Sequence, residues 1–180
     1  MRIISGTARG RKLKEPAGYN IRPTSDLVKE SIFNIIQFDI EGRRVLDLYA
    51  GTGQLGMEAM SRGAAGAVFI DNRPEAVKLI WENIKLCGFS GAAVAHTRDA
   101  LKYLERCDDF DIIFIDPPYS TPLAGLTVEK IIEFDKLNAN GIMICETKAD
   151  SSLPAAPPPY RMAKEYIYGS VKITRYERGL

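Results

Sequence analysis

The chain has 180 residues, 46% of them hydrophobic and 26% charged, with 15 glycines, 10 prolines, three cysteines and one histidine. A chain of this length typically folds as one domain, and no stretch approaches the roughly 20 apolar residues that a membrane-spanning helix needs. The cysteines form no Cys-x-x-Cys pair, which excludes a disulfide scaffold and a zinc ribbon and suits a reducing compartment. A single histidine, His96, argues against a His-rich metal site and a Ser-His-Asp triad. We therefore expect a cytoplasmic globular protein, a monomer that binds neither metal nor membrane.

The formal net charge of +1 conceals a basic amino-terminal segment. Residues 1–22, called the leader below, contain six basic side chains and one acid, whereas the remainder is mildly acidic. This imbalance predicts contact with a polyanion, and a solvated basic arm without a partner fits the charge equally well. Three glycines between short strand-like runs predict a small β-hairpin. The candidate polyanion-binding residues are Arg2, Arg9, Arg11, Lys12, Lys14 and Arg22.

The rest of the chain alternates strands and helices. In chain order, the predicted elements are a helix at 24–38, a strand at 45–49, a helix at 54–61, a strand at 67–71, a helix at 74–86, a strand at 92–96, a helix at 99–105, a strand at 111–116, a helix at 128–134, a strand at 142–146, and a final hairpin of strands at 165–168 and 171–176. The alternation predicts an α/β fold with a mostly parallel sheet, covered by helices on both faces. Gly169-Ser170 predicts that the sheet ends in an antiparallel pair.

A glycine-rich turn follows the first of these strands. Residues 51–56 match the G-x-G-x-x-G pattern of dinucleotide sites, although glycines that serve only helix–strand packing would match it too. Asp47 would repel a pyrophosphate, but it would attract the ammonium and sulfonium of S-adenosylmethionine. Asp71 can bind the ribose hydroxyls of either cofactor. Asp99 can accept a hydrogen bond from the adenine amine or cap the following helix.

The sequence Asp116-Pro117-Pro118-Tyr119 follows the most apolar strand, at the sheet edge where open α/β folds bind ligands. The Asp116 carboxylate and the Pro117 carbonyl can accept both hydrogens of a base's exocyclic amine, and Tyr119 offers a stacking face. Such a grip would turn the weakly nucleophilic nitrogen toward a methyl donor without a general base of shifted pKa. A Pro-rich turn that merely ends a strand is the alternative. We predict amine methylation, with Asp116, Pro117, Pro118 and Tyr119 as the catalytic residues.

Several motifs resemble known families. Residues 45–56 together with residues 116–119 resemble the class I S-adenosylmethionine-dependent amino-methyltransferases. Residues 3–13, 22–24, 30–34 and 61–64 are similar to the bacterial RsmD family, which methylates the exocyclic N2 amine of a guanine in the 16S ribosomal RNA of the small subunit. The resemblance covers nearly the whole chain and fades after about residue 150. Tyr49 and Gln54 stand where that family often has Phe and Ala.

The resemblance implies a Rossmann-like class I methyltransferase fold with a seven-stranded sheet over residues 23–180. It implies that residues 1–22 form a basic hairpin extension that engages ribosomal RNA, within the small subunit or an assembly intermediate. It also implies S-adenosylmethionine as the cofactor, converted to S-adenosylhomocysteine, while residues 116–119 hold the guanine amine. The expected cofactor-binding residues are Asp47, Tyr49, Ala50, Gly51, Gly53, Asp71, Asn72, Asp99, Ala100 and Thr24.

Three alternatives remain open at this point. An adenine-N6 or other amino-methyltransferase acting on DNA or RNA would use the same Asp-Pro-Pro-Tyr motif, but enzymes that read DNA sequence usually carry a further recognition domain. An NAD-dependent oxidoreductase is compatible with residues 51–56 and disfavoured by Asp47. A non-catalytic RNA-binding module with the same fold is the third alternative, against which the intact acidic residues argue.

Overall fold

The computed structural model of the chain describes residues 1–16 and 26–180. The strands of this part are β1 (Arg44–Leu48), β2 (Gly66–Asp71), β3 (Ala93–Thr97), β4 (Phe110–Ile115), β5 (Leu137–Lys148), β6 (Tyr160–Tyr168) and β7 (Val171–Arg178). The helices are α1 (Asp26–Ile35), α2 (Gln54–Ser61), α3 (Pro74–Cys87), α4 (Ala100–Leu104) and α5 (Leu123–Glu133). None of the helices in these two ranges is long and apolar enough to span a bilayer.

The seven strands form one sheet in the order β3-β2-β1-β4-β5-β7-β6. Neighbouring strands from β3 through β5 are parallel, whereas β7 is antiparallel to both β5 and β6. The central strands β1 and β4 are apolar and buried because helices cover both faces of the sheet. The predicted α/β fold with a seven-stranded, mostly parallel sheet and an antiparallel carboxyl-terminal edge is thereby confirmed.

Two hydrophobic layers flank the sheet. On one face, Phe33 of α1, Leu55 of α2 and Ile80 of α3 pack in one cluster with the strands. On the other face, Leu104 of α4 and Val128 of α5 belong to a second cluster. The sheet is therefore held in a three-layer arrangement, and its carboxyl edge is left open between the two layers of helices.

Several predicted elements are shorter than the elements in the structure. β5 begins at Leu137 rather than 142, because residues 138–141, which resemble a turn in the sequence, continue the strand past a register shift between β4 and β5. Asn140 takes a positive φ of 58° within this segment. α5 begins at Leu123 rather than 128, since Pro122 occupies its N-cap and Ala124 is buried in its first turn. Conversely, α1 ends at Ile35 rather than 38.

The described part of the leader is built into the core. The Ile3 amide donates to the Arg11 carbonyl at 2.9 Å, and the Gly10 amide donates to the Ile3 carbonyl at 2.9 Å, which gives a hairpin-like loop with a single bridge between Arg2 and Lys12. The buried side chains of this loop belong to the same cluster as the sheet; they are Ile3, Ala8 and Leu13. The predicted boundary at residue 22 lies outside the described residues, so the division into 1–22 and 23–180 stays a prediction.

Candidate active site

A cavity of about 720 Å³ opens at the carboxyl ends of β1, β2 and β4. The sheet order reverses between β1 and β4, because the chain winds through β2 and β3 on one side of β1 and then continues with β4 on the other. Such a switch point leaves a crevice in which open α/β sheets bind their ligands, and this volume lies within the range of small-molecule sites. The segments that follow these strands therefore meet around a single cavity.

The glycine turn after β1 forms one wall. Gly51 has a φ of 58°, and its amide donates to Asp71 Oδ2 at 2.9 Å. Gly53 lies against Phe69, where an added Cβ would approach the ring to 3.2 Å, which gives this glycine a packing role; its predicted contact with the cofactor stays a prediction. At Gly56 an added Cβ would lie 2.3 Å from the same ring. The first glycine shapes the cavity, and the other two let α2 pack closely on the sheet.

Asp47 borders the floor of the cavity and is only 2% exposed. Its Oδ2 accepts a hydrogen bond from the Gly56 amide at 2.8 Å. Burial raises the pKa of Asp47 to about 7; the Gly56 amide opposes this rise and the negative charge of Asp71 adds to it. A cation bound beside Asp47 would favour its ionised form.

Acidic side chains outnumber basic ones around the cavity. Those that border it are Asp47, Asp71, Asp99, Asp116, Glu146 and Glu15, against Arg73, Arg98 and Lys148. A cleft lined mainly by one sign of charge raises the local concentration of ligands of the opposite charge. The excess of negative charge around the cavity therefore fits a cationic ligand better than a pyrophosphate.

Asp71 is 5% exposed and holds Arg73. The Arg73 amide and Nε donate to Oδ1 at 3.0 and 3.1 Å, and Nη2 donates to Oδ2 at 3.2 Å. Both carboxylate oxygens of Asp71 are thus engaged, since Oδ2 also accepts from Gly51. A ribose at this carboxylate would have to share it with the Arg73 guanidinium or displace that guanidinium.

Asp99 caps α4 and also borders the cavity. Its side chain accepts a hydrogen bond from the Lys102 amide at 3.0 Å, as in an ordinary helix N-cap. Asn72 and Ala100 border the cavity nearby. The capping interpretation of Asp99 is therefore confirmed, and the predicted contact with adenine stays a prediction.

Tyr49 links the turn after β1 to α5. Its backbone has a φ of 60°, and its hydroxyl lies 2.7 Å from the Oγ1 of Thr127, which is fully buried in α5. Burial raises the pKa of this tyrosine, and the Thr127 hydroxyl opposes the rise. Tyr49 and Ala50 both border the cavity. The hydroxyl that distinguishes Tyr49 from a phenylalanine thus has a specific partner.

The segment after β4 brings all four predicted catalytic residues to the cavity: Asp116, Pro117, Pro118 and Tyr119. The turn is tied down because the Pro118 carbonyl accepts from the amide and the hydroxyl of Thr121, at 3.1 and 2.8 Å. The Tyr119 hydroxyl donates to Glu146 Oε1 at 2.5 Å. The ring of Tyr119 is therefore anchored at the side of the cavity where Asp116 lies.

Sequence reasoning missed Glu146 and Arg73 as residues of the cavity. Glu146 is 5% exposed and lies near the carboxyl end of β5, beside β4. A signal for it exists in the sequence, since Glu146 ends a predicted strand just as Asp71 and Asp116 do. No comparable signal marks Arg73, whose contact with Asp71 depends on the path of the chain after β2.

Five of the six predicted RNA-binding residues lie in the part of the chain that the structure describes. Arg2, Arg9, Arg11, Lys12 and Lys14 are exposed on the leader, whose residues Met1, Glu15 and Pro16 border the cavity. Arg11 Nη1 donates to the Leu86 carbonyl at 2.5 Å, and Lys14 pairs with Glu82 at 2.8 Å. Arg22, with the predicted cofactor residue Thr24, lies outside the described residues. Over residues 1–16 and 26–180, no group of three or more His, Cys, Asp or Glu side chains is placed to hold a metal ion.

Comparison with known proteins matches nearly the whole chain. Residues 1–177 match the family described as Conserved hypothetical protein 95. The chain is 36% identical to YlbH of Bacillus subtilis over 182 residues, 99% of each protein. It is 32% identical to ribosomal RNA small subunit methyltransferase D of Escherichia coli strain K12 over 179 residues, which cover 99% of this chain and 90% of that protein.

The fold agrees with the sequence comparison. The solved structure of yhhF from Escherichia coli superposes with a TM-score of 0.89 at 30% identity, covering 100% of this chain and 98% of that one. HI0767 from Haemophilus influenzae superposes with a TM-score of 0.84 at 30% identity over 99% of this chain. The predicted Rossmann-like class I methyltransferase fold is therefore confirmed. The chain belongs to the Conserved hypothetical protein 95 family, the RsmD family that includes ribosomal RNA small subunit methyltransferase D.

Proposed function

We propose that the protein transfers a methyl group from S-adenosylmethionine to the exocyclic N2 amine of a guanine in 16S ribosomal RNA. The observation that carries the proposal is the position of residues 116–119, which border the same cavity as Asp47 of β1 and Asp71 of β2. The names of the relatives, which include ribosomal RNA small subunit methyltransferase D, support the substrate class. The amine donor and the methyl donor would thus meet at a single switch point of the sheet.

The residues present fit this cofactor. Asp47 would face the cationic methionine end, where a neighbouring positive charge favours its ionised form. Asp71 would bind the ribose, and Asp99 the adenine end, beside Asn72 and Ala100. When bound, S-adenosylmethionine supplies an electrophilic methyl group on a sulfonium.

The amine would be held by the segment after β4. The Asp116 carboxylate and the Pro117 carbonyl would each accept a hydrogen bond from one N–H of the amine, while the ring of Tyr119 would stack on the base. With S-adenosylmethionine bound, the held nitrogen would bond to the methyl carbon as the carbon–sulfur bond breaks, and the proton that the nitrogen must lose would pass to the Asp116 carboxylate. Orientation supplies most of the rate, because two reactants fixed in line behave as a unimolecular system.

The leader would bind the RNA next to the cavity. Its exposed basic residues lie on a loop whose ends border the cavity through Met1 and Glu15. Phosphate contacts of this kind position a nucleic acid without reading its sequence. We propose the ribosomal RNA of the small subunit, or of its assembly intermediate, as the partner and a monomer as the active form.

The test is methylation of small subunits from cells that lack the endogenous modification. Purified protein is incubated with these subunits and with S-adenosylmethionine, and the RNA is digested to nucleosides for mass spectrometry. We expect N2-methylguanosine as the product. N6-methyladenosine, or no methylated nucleoside, would contradict the proposal.

Asp116→Ala should lower turnover by about 10- to 150-fold, because a hydrogen bond to a charged group contributes about 1.5–3 kcal/mol and each 1.36 kcal/mol of barrier is a tenfold change in rate. Cofactor affinity, measured by calorimetry, should stay within about threefold, since Asp116 touches the amine rather than the cofactor. The matched control is Asp108→Ala, an aspartate with an 83% exposed side chain that precedes β4 at the opposite edge of the sheet. Equal loss of activity in both variants would contradict the assigned role.

A further inference from the structure

Glu146 has no part in the reaction as described so far, although it borders the cavity and is 5% exposed. Ile115, the last residue of β4, and Cys145 of β5 are register partners in a parallel pair, so Asp116 and Glu146 each come directly after this pair. Strands in a sheet lie about 4.8 Å apart, and register partners in a parallel pair point to the same face. Glu146 is therefore placed beside the group that is proposed to hold the amine.

Glu146 is also joined to the ring on which the base would stack. Its Oε1 accepts the Tyr119 hydroxyl at 2.5 Å. An ionised carboxylate only accepts hydrogen bonds and offers about four acceptor positions on its two oxygens, so one carboxylate can serve more than one donor. A base stacked on Tyr119 would have its edge within the same pocket as this carboxylate.

The two purine bases with an exocyclic amine differ at the ring atom next to that amine. In guanine the N2 amine adjoins N1–H, which is a donor, whereas in adenine the N6 amine adjoins N1, which is an acceptor. A carboxylate accepts a hydrogen bond from the first and repels the lone pair of the second. A site built to hydrogen-bond a substrate group rejects an analogue that cannot make the bond.

We propose that Glu146 is a specificity-determining residue that accepts the N1–H of the target guanine while Asp116 and Pro117 hold its amine. The inference rests on the proposed function and specifies how that site selects guanine over other bases with an amine. Tyr119 connects stacking with recognition of the base edge, because its hydroxyl donates a hydrogen bond to the Glu146 carboxylate.

The test uses 2,6-diaminopurine, which keeps the 2-amine of guanine but has an acceptor at N1. Small subunits carry either guanosine or 2,6-diaminopurine riboside at the methylated position, and kcat/KM is measured for each. The wild-type protein should prefer guanosine by about tenfold or more. In Glu146→Gln the carboxamide can donate to the N1 acceptor, so the preference should fall to within about threefold of unity.

Two further variants separate reading of the base from positioning of the ring. Tyr119→Phe removes the hydroxyl that Glu146 holds and should lower both kcat/KM values while leaving their ratio unchanged. Glu105→Gln, an exposed residue at the end of α4, should change neither value. The ratio does not depend on the fraction of active protein, because both substrates meet the same preparation.

An unchanged ratio in Glu146→Gln would overturn the inference and leave Glu146 as a residue that only positions Tyr119. In that case the wild-type protein would still form N2-methylguanosine, and the proposed function would stand. Failure of the wild-type protein to form N2-methylguanosine at all would instead overturn the proposed function, and the inference with it.

Discussion

Two buried aspartates of the cavity are held by different partners. Asp47 accepts a hydrogen bond from the Gly56 amide and has its pKa raised to about 7, whereas Asp71 is held by the Arg73 guanidinium and the Gly51 amide. Over residues 1–16 and 26–180, Asp47 has no guanidinium partner of the kind that Asp71 has, so its negative charge gains most from a bound cation. We propose that these two carboxylates contact neighbouring groups of one bound cofactor.

Asp71→Ala should weaken binding of S-adenosylmethionine by about 1.5–3 kcal/mol, which is the usual contribution of a hydrogen bond to a charged group. Titration calorimetry measures this change. Arg73→Ala is the informative control: because it removes the competing guanidinium and leaves the carboxylate, affinity should be retained or improved. Unchanged affinity in Asp71→Ala would contradict the assignment of this residue to the ribose.

At the scale of elements, the leader is joined to α2 by polar contacts as well as by its apolar side chains. The amides of Ile4 and Ser5 donate to the two carboxylate oxygens of Glu58 at 2.7 and 3.0 Å, and Glu58 is fully buried. Lys29 Nζ of α1 donates to the Arg2 carbonyl at 2.6 Å, with a pKa lowered by burial. The leader therefore depends on α1 and α2 for its conformation.

Gly6 and Gly10 offer a matched pair for testing this attachment. Both have a φ near +80°, but a Cβ at Gly6 would lie 1.7 Å from the Ser61 carbonyl oxygen, whereas nothing lies within 4 Å of one at Gly10. Gly10→Ala should cost about 1–2 kcal/mol for its backbone conformation. Gly6→Ala should cost about 1–3 kcal/mol more, because α2 and the leader must separate.

Thermal unfolding measures this difference. For a chain of this size the melting temperature should fall by about 2–4 °C for each kcal/mol, so Gly6→Ala should melt several degrees below Gly10→Ala. Equal melting temperatures would indicate that the leader does not need its close approach to Ser61.

At the scale of the whole molecule, the exposed basic residues of the leader lie on a loop whose ends, Met1 and Glu15, border the cavity. Phosphate contacts release counterions, so the logarithm of RNA affinity should fall linearly with the logarithm of salt concentration. Replacing Arg9, Arg11 and Lys12 by Gln should make that slope shallower by about 2, at roughly 0.7 for each contact to a single strand. Filter binding over a range of salt concentrations gives the slope.

The control for this experiment replaces three exposed basic residues outside the leader, namely Arg44, Arg106 and Lys164. Arg44 begins β1, at the edge of the sheet opposite the cavity. The control should leave the slope of the wild-type protein intact, since general loss of positive charge acts weakly at a distance in salt. An equal change of slope in both variants would show that the leader has no special part in binding.

The amino-acid sequence by itself determined the order of the elements and most of the site. Period and turn signals are local, and the carboxyl ends of parallel strands meet at one edge, so Asp47, Asp71 and Asp116 could be placed together from their positions after strands. The same rule applied to 142–146 would have found Glu146. The predicted roles of Arg22 in RNA binding and of Thr24 in cofactor binding stay predictions.

Only the tertiary structure decided how distant segments meet. The contact of Tyr119 with Glu146, the docking of Ile4 and Ser5 on Glu58, and the packing role of Gly53 against Phe69 each join residues far apart in the chain. The extension of β5 to Leu137 follows likewise from pairing with β4, which overrides turn-forming residues such as Asn140. Such contacts depend on side-chain volume and on the final path of the backbone, and a local pattern carries neither.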